Sequence, residues 1–289
     1  MSNHGAVSIT QPDRPVALVA GASRGIGAET ARAFAAAGYA VALGARDADA
    51  LASVVDEINA AGGHAVAAVT DVGDEDSSAA LVACALERYG RLDAAFNNAT
   101  DGPLPAPLAD IATDEFDQGI RTNVRGTFLG MKHQIPAMLA SGGGTVVNMA
   151  SVAGVRATTN LAAYVAGKAA IIGLTEVAAL DYADQNVRVN VVAPGPILTH
   201  HLERAGADAQ RLAGQSVPMQ RVGTSTEVAE VVLWLCSPHS SFVTGATIPI
   251  DGGQLAGSRP PQMYRQGKGM APTPGRHDDG PATHEGDPS

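Results

Sequence analysis

From residue 14 to residue 256, short apolar runs alternate with longer stretches of helical periodicity, and this alternation leaves few folds open. Residues 15–20, 40–44, 64–70, 92–97, 144–149, 187–192 and 246–250 read as strands. Residues 26–37, 48–61, 77–89, 114–139, 161–183 and 227–236 read as helices between them. Apolar runs joined by helices of this length demand parallel strands with helices on both faces. The expected fold is therefore α/β, a doubly wound parallel sheet of Rossmann-like type. Such sheets bind ligands beyond the carboxyl ends of their strands.

The first strand runs into Gly21-Ala-Ser-Arg-Gly25-Ile-Gly27 at the start of the first helix. Gly21, Gly25 and Gly27 permit a tight turn and a close backbone approach to a pyrophosphate. Ser23, Arg24 and Ile26 complete the turn, and the helix N-terminus offers free N–H groups and the positive end of a dipole. A structural turn is the plain alternative, but the position between first strand and first helix favours a dinucleotide.

Tyr164 and Lys168 are four residues apart on the second long helix, which places them on one face. A lysine ammonium beside a phenol is expected to lower the phenol pKa from about 10 toward neutrality, where it can exchange a proton with a carbonyl or alcohol. Ser151 ends the fifth strand thirteen residues before Tyr164, where a hydroxyl can hold the reacting oxygen. Asn123 sits within Thr122-Asn-Val-Arg-Gly126 in the first long helix, and asparagine is a poor helix-interior residue, so a polar role facing the site is expected.

These four positions resemble the Asn–Ser–Tyr–Lys tetrad of the short-chain dehydrogenases/reductases, and the glycine turn resembles that family's Gly-x-x-x-Gly-x-Gly. The resemblance extends through Asp71-Val72, Asn97-Asn98-Ala99, Pro194-Gly195-Pro-Ile197-Leu-Thr199 and Asp251-Gly-Gly253. It implies reversible hydride transfer between a nicotinamide cofactor and a carbonyl/alcohol pair, as in a ketoreductase. Ser151 would orient the substrate oxygen, Tyr164 would pass its proton, Lys168 would bind the nicotinamide ribose and Asn123 would hold a relay water. Asp71 and Val72 would contact adenine, Asn97, Asn98 and Ala99 would lie beside the nicotinamide, and Ile197 and Thr199 would meet its carboxamide. Pro194 and Gly195 belong to that last loop. The family commonly pairs its two long helices across subunits, which implies a homotetramer or homodimer. Two departures stand out: Ala20 replaces the usual Thr, and Thr100 replaces the usual Gly, a side chain expected to reshape the substrate mouth.

The second strand ends at Ala45 with no carboxylate for a ribose 2′-hydroxyl, and Arg46 follows with a planar cation suited to phosphate. Arg24 can meet the same group from the other side. NADP(H) is therefore expected over NAD(H), with Asp47 pointing away. Epimerisation or dehydration on the same scaffold, and a non-catalytic cofactor sensor, are the rival readings. The intact tetrad argues against the sensor.

Composition narrows the partners. The formal net charge of the 289-residue chain is −10, which disfavours nucleic acid and anionic membranes. The chain has two cysteines, Cys84 and Cys236, and no CxxC, so a reduced, cytoplasmic setting and no metal site are expected. No apolar run reaches membrane-spanning length without interruption. Residues 1–13 are polar and read as a flexible segment, and 14–256 read as a single domain that binds dinucleotide and carries the catalytic groups. Residues 257–289 are rich in proline and glycine and read as a disordered tail, with His277 and His284 solvated. His200, His201 and Arg156 are read as surface residues, and Cys84 and Trp234 as buried.

Overall fold

Strand β1 (Val16–Ala20) lies inside a seven-stranded parallel sheet, with β2 (Ala40–Ala45) and β3 (His64–Val69) on one side. On the other side follow β4 (Ala94–Asn97), β5 (Gly144–Met149), β6 (Val187–Pro194) and β7 (Thr247–Ile250). The order β3-β2-β1-β4-β5-β6-β7 reverses direction between β1 and β4, which is where an open parallel sheet forms a crevice at its carboxyl edge. This computed structural model describes residues 14–257; residues 1–13 and 258–289, with His277 and His284, lie outside the described residues.

The central strands are buried on both faces, so each face needs its own helical layer. One layer holds α1 (Gly25–Ala36), α2 (Ala48–Ala60) and the last helix, packing Phe34, Leu51 and Leu235 against Leu43 and Phe96. The other holds α3 (Glu75–Tyr89) and the helices Gly126–Ala140 and Ala162–Tyr182, packing Leu81, Ile135 and Met138 against Leu18 and Val146. Each such fully buried side chain contributes about 1.5–3 kcal/mol relative to exposure.

The long helix expected over 114–139 is present but not regular. Helix α4 (Thr113–Ile120) passes through a π-type turn, Arg121–Arg125, into α5 (Gly126–Ala140). The cause is tertiary: Asn123 Nδ2 donates to the Gly119 carbonyl at 2.9 Å and to the Asp101 carbonyl at 2.5 Å, drawing the helix toward the loop after β4. Helix α6 (Val152–Val155) is a short turn capped by Ser151, and α7 (Ala162–Tyr182) is close to the expected helix. Beyond β6 the sequence reads as loop, with no helix or strand expected before residue 227. The structure places there α8 (His200–Arg204), α9 (Gly206–Gln215) and a two-strand pair of Ile197–Leu198 with Gly223–Thr224. Helix α10 (Ser225–Cys236) starts two residues early because Thr224 and Glu227 form a capping box.

Trp234 is 41% exposed rather than buried, and Cys84 is half-buried. Helix α7 with its trailing turn, residues 162–185, is long and apolar enough to cross a membrane by length and composition alone, but Lys168, Glu176 and Asp181 interrupt the apolar run. Its inner face, with Ile171, Thr175 and Ala178, packs into the protein.

Candidate active site

At the switch point the carboxyl ends of the strands open into a cleft of about 920 Å³, at the upper end for small-molecule and cofactor sites. The glycine turn forms one wall. Gly21 (φ +84°) and Gly25 (φ +55°) take conformations that L side chains rarely adopt, and a Cβ on Gly21 would lie 2.7 Å from the Ala99 nitrogen. Gly27 is buried behind the turn, where a Cβ would meet the Gly21 oxygen at 2.1 Å. The turn is braced without the threonine that Ala20 replaces. Gly21 N and Ala22 N donate to the Gly44 carbonyl at 2.7 and 3.1 Å, and Asn98 Nδ2 donates to the Gly21 carbonyl at 2.9 Å.

Arg24 precedes α1 in extended conformation, no side chain among the described residues caps that helix, and its first turn holds no acidic residue. Bare N–H groups and a dipole end facing a cleft suit a pyrophosphate, so the residues present fit a dinucleotide. Ser23, Arg24, Gly25, Ile26 and Arg46 line this end. Asp47 lines this end as well, with its Oδ1 accepting from Ala50 N at 3.1 Å as the cap of α2. Asp71 and Val72 line the same end, and the Asp71 carboxylate pairs with Arg121 at 2.9 Å, which holds its pKa below the usual range.

At the other end Tyr164 opens onto the cleft, while Ser151, Asn123 and Lys168 lie buried behind it. Close backbone contact brings them together. A Cβ on Gly154 of α6 would meet the Lys168 carbonyl carbon at 2.7 Å, and one on Gly167 of α7 would meet the Asn123 Cβ at 3.1 Å. Neither glycine was singled out in the sequence, although a glycine inside a helical pattern such as that around Tyr164 is itself a sign of close approach. Asn123 is fully enclosed. Besides its two donated hydrogen bonds, its Oδ1 accepts from the Thr100 hydroxyl at 2.9 Å. The Thr100 hydroxyl is thus turned to Asn123, a role that sequence reasoning missed.

The electrostatics differ in sign from the sequence expectation. Burial pushes the Tyr164 phenol up from its ordinary value, only partly offset by the Ser151 hydroxyl. Burial pushes Lys168 down to about 7. Its Nζ donates to the Met149 carbonyl at 2.9 Å and lies 5.5 Å from the Tyr164 ring centroid. A lysine that is only partly charged near neutrality cannot impose a full ammonium field on the phenol, and desolvation then dominates.

Other expected site residues separate into two groups. Asn98, Ala99 and Thr199 line the cleft. Asn97 does not: it is buried and exchanges hydrogen bonds with Gln134 at 3.0 and 2.8 Å and reaches Asn148 at 2.9 Å. Asn148 continues to Thr175 on α7, so Asn97 anchors a buried chain under the tyrosine helix. Pro194 and Gly195 frame the loop, with Gly195 N donating to the Ile250 carbonyl at 3.0 Å, and Ile197 is core. Pro103, Leu104, Pro105 and Leu161 form an apolar mouth beside His200 and Arg204.

A family model described as enoyl-(acyl carrier protein) reductase matches residues 21–254. The chain is 41% identical over 242 residues to an A-factor type gamma-butyrolactone 1'-reductase (1S-forming) of Streptomyces virginiae, covering 82% of this chain and 94% of that protein. It is 39% identical over 238 residues to a cyclohexanol dehydrogenase of Acinetobacter sp. (strain SE19), covering 82% and 93%. The crystal structure of a levodione reductase superposes with a TM-score of 0.81 at 35% identity, covering 84% of this chain and 98% of that one.

Proposed function

This chain belongs to the short-chain dehydrogenase/reductase family, and on that premise we propose that it exchanges a hydride between NADP(H) and the carbonyl/alcohol pair of a ring-bearing small molecule, with Tyr164 as the proton-transfer acid/base. The observation that carries the reading is the convergence of Ser151, Tyr164 and Lys168 behind one wall of a cleft whose other wall is the glycine turn. Bound nicotinamide supplies the hydride chemistry. The protein supplies the rest. Ser151 holds the substrate oxygen near the phenol, and Tyr164, kept protonated at neutral pH by burial, gives its proton to the oxygen that develops negative charge. Lys168 sits beneath, ready for ribose hydroxyls.

The apolar, proline-rich mouth supports an uncharged substrate, and two of the relatives above are named for ring-bearing compounds. Support for NADP(H) comes from Arg46 in the cleft and Ala45 in the strand-end position. A homo-oligomer is supported by Phe128 on α5 and Val177 and Leu180 on α7, which are exposed along the two helices. Unpaired Cys84 and Cys236 suit a cytoplasmic setting.

The test is reduction of a panel of cyclic ketones followed by NADPH absorbance, with the native enzyme and Tyr164→Phe. The variant is expected to lose about 10²–10⁴-fold in kcat/KM while its affinity for NADPH stays nearly unchanged. Retention of most of the rate would remove Tyr164 from the chemistry. Nicotinamide that co-purifies with the protein and turns over no ketone or alcohol would favour epimerisation or dehydration instead.

A further inference from the structure

Arg46, just past β2, and Asp101, in the loop after β4, meet across the lip of the cleft, with Nη1 3.3 Å from Oδ2. Both line the cleft that fits the dinucleotide. Their side chains are 61% and 33% exposed, so the pair contributes little to stability. The Asp101 carboxylate is nonetheless fixed in place. Its Oδ1 accepts from Gly102 N at 3.0 Å, its Oδ2 from Gln118 Nε2 at 3.5 Å, and its own carbonyl is tied to Asn123. Arg46 is the more exposed partner and belongs to the wall assigned to the adenosine ribose.

A phosphate approaching Arg46 from the cleft therefore meets a guanidinium already engaged by a carboxylate. To gain Arg46 it must displace Asp101, and it then lies a few ångströms from a like charge that the loop holds still. An adenosine without the 2′-phosphate meets neither cost. We propose that Asp101 is a specificity-determining residue, which weakens the binding of 2′-phosphorylated adenosine by holding Arg46 and by its own negative charge. This rests on the assignment of Arg46 to the 2′-phosphate. Exposed charges at this spacing interact at the weak end of the Coulomb range, so Asp101 sets the ratio of the two cofactor affinities by about three- to tenfold.

The experiment uses the full chain with 2′,5′-ADP and 5′-AMP as probes, measured by titration calorimetry on the native protein, Asp101→Asn, Arg46→Ala and the double variant. Asp101→Asn keeps an acceptor for Gly102 N and removes the charge. It is expected to bind 2′,5′-ADP about three- to tenfold more tightly and 5′-AMP with unchanged affinity, and the gain should vanish in the Arg46→Ala background. Asp101→Ser, with the same expected direction, serves if the asparagine variant melts early. An unchanged affinity ratio in a folded Asp101 variant, or equal tightening of both probes, overturns the inference while leaving the cofactor assignment intact. If Arg46→Ala alone leaves 2′,5′-ADP affinity unchanged, the assignment of Arg46 fails, and this inference falls with it.

Discussion

At the catalytic end of the cleft Asn123 is fully buried, and its side chain makes three hydrogen bonds to Asp101, Gly119 and Thr100. At the adenosine end Arg46 stands 61% exposed against one carboxylate at 3.3 Å. The two ends answer different demands. Proton and hydride transfer tolerate little displacement, since about 1 Å of misplacement costs on the order of 10²-fold in rate. Backbone-to-backbone packing and satisfied buried polar groups supply that rigidity. Choosing between two cofactors needs only a small difference in affinity, which exposed charges can provide and a few side chains can retune.

The sharpest way to break this comparison is to disturb the packing behind the tyrosine without replacing any polar side chain. In Gly154→Ala the added Cβ would lie 2.7–2.9 Å from the Lys168 carbonyl carbon, carbonyl oxygen and Cβ. Two of those are main-chain atoms of α7, so the helix must move. Overpacking of this kind costs about 1–3 kcal/mol. We expect kcat to fall by on the order of 10²-fold, with 2′,5′-ADP affinity almost unaltered. If the affinity falls in step with kcat, the two ends are not independent.

A smaller change probes the same end through one hydrogen bond. Thr100→Val removes the hydroxyl that donates to Asn123 Oδ1 and leaves a buried acceptor unpartnered. A hydrogen bond of this sort contributes about 1 kcal/mol, so a loss of about fivefold in kcat is expected, with Thr100→Ser restoring the rate. Equal rates for the valine and serine variants would show that Thr100 only fills space.

These two positions also mark where sequence reasoning stopped. The sheet, the glycine turn and the spacing of Ser151, Tyr164 and Lys168 were legible because periodicity and local turn chemistry encode them. The π-type turn at Arg121–Arg125 was not, because it follows from the fit of Asn123 to a loop carbonyl more than twenty residues away. Thr100 was read as reshaping the mouth because it replaces a usual Gly, and it does line the cleft; only the packing around Asn123 shows that its hydroxyl turns to that residue. Asn97 was assigned to the nicotinamide by its motif, yet Gln134 and Asn148 engage it in the core. The sign of the Tyr164 shift was missed for a related reason: a pair of residues four apart reveals a possible charge partner but not how deeply both are buried.

Lys168 allows the contrast to be read as stability rather than rate. Its pKa is about 7 in the folded protein against 10.5 as the ordinary value, with burial as the cause. Below about pH 7 the lysine is charged in both states, and folding carries the full cost of burying that charge. Between about pH 7 and 10.5 the unfolded chain keeps a proton that the folded chain releases, so the contribution of Lys168 to stability rises with pH across this window. Replacing it by a neutral side chain of similar length removes the titration. Lys168→Met is therefore expected to melt a few degrees higher than the native protein at about pH 6, since a stability gain of 1 kcal/mol corresponds to about 2–4 °C in a domain of this size. The advantage should shrink steadily as the pH approaches about 9.5. Tyr164, whose pKa is raised, opposes this trend only as pH nears and passes its ordinary value, which bounds the useful range. The loss of the hydrogen bond to Met149 lowers the whole curve without changing its slope. Thermal melts of both proteins across that range decide the matter. A difference in melting temperature that does not vary with pH would mean that the Lys168 charge is as well solvated as that of Arg46, and the distinction between a sealed catalytic end and an open adenosine end would fail at its most buried residue.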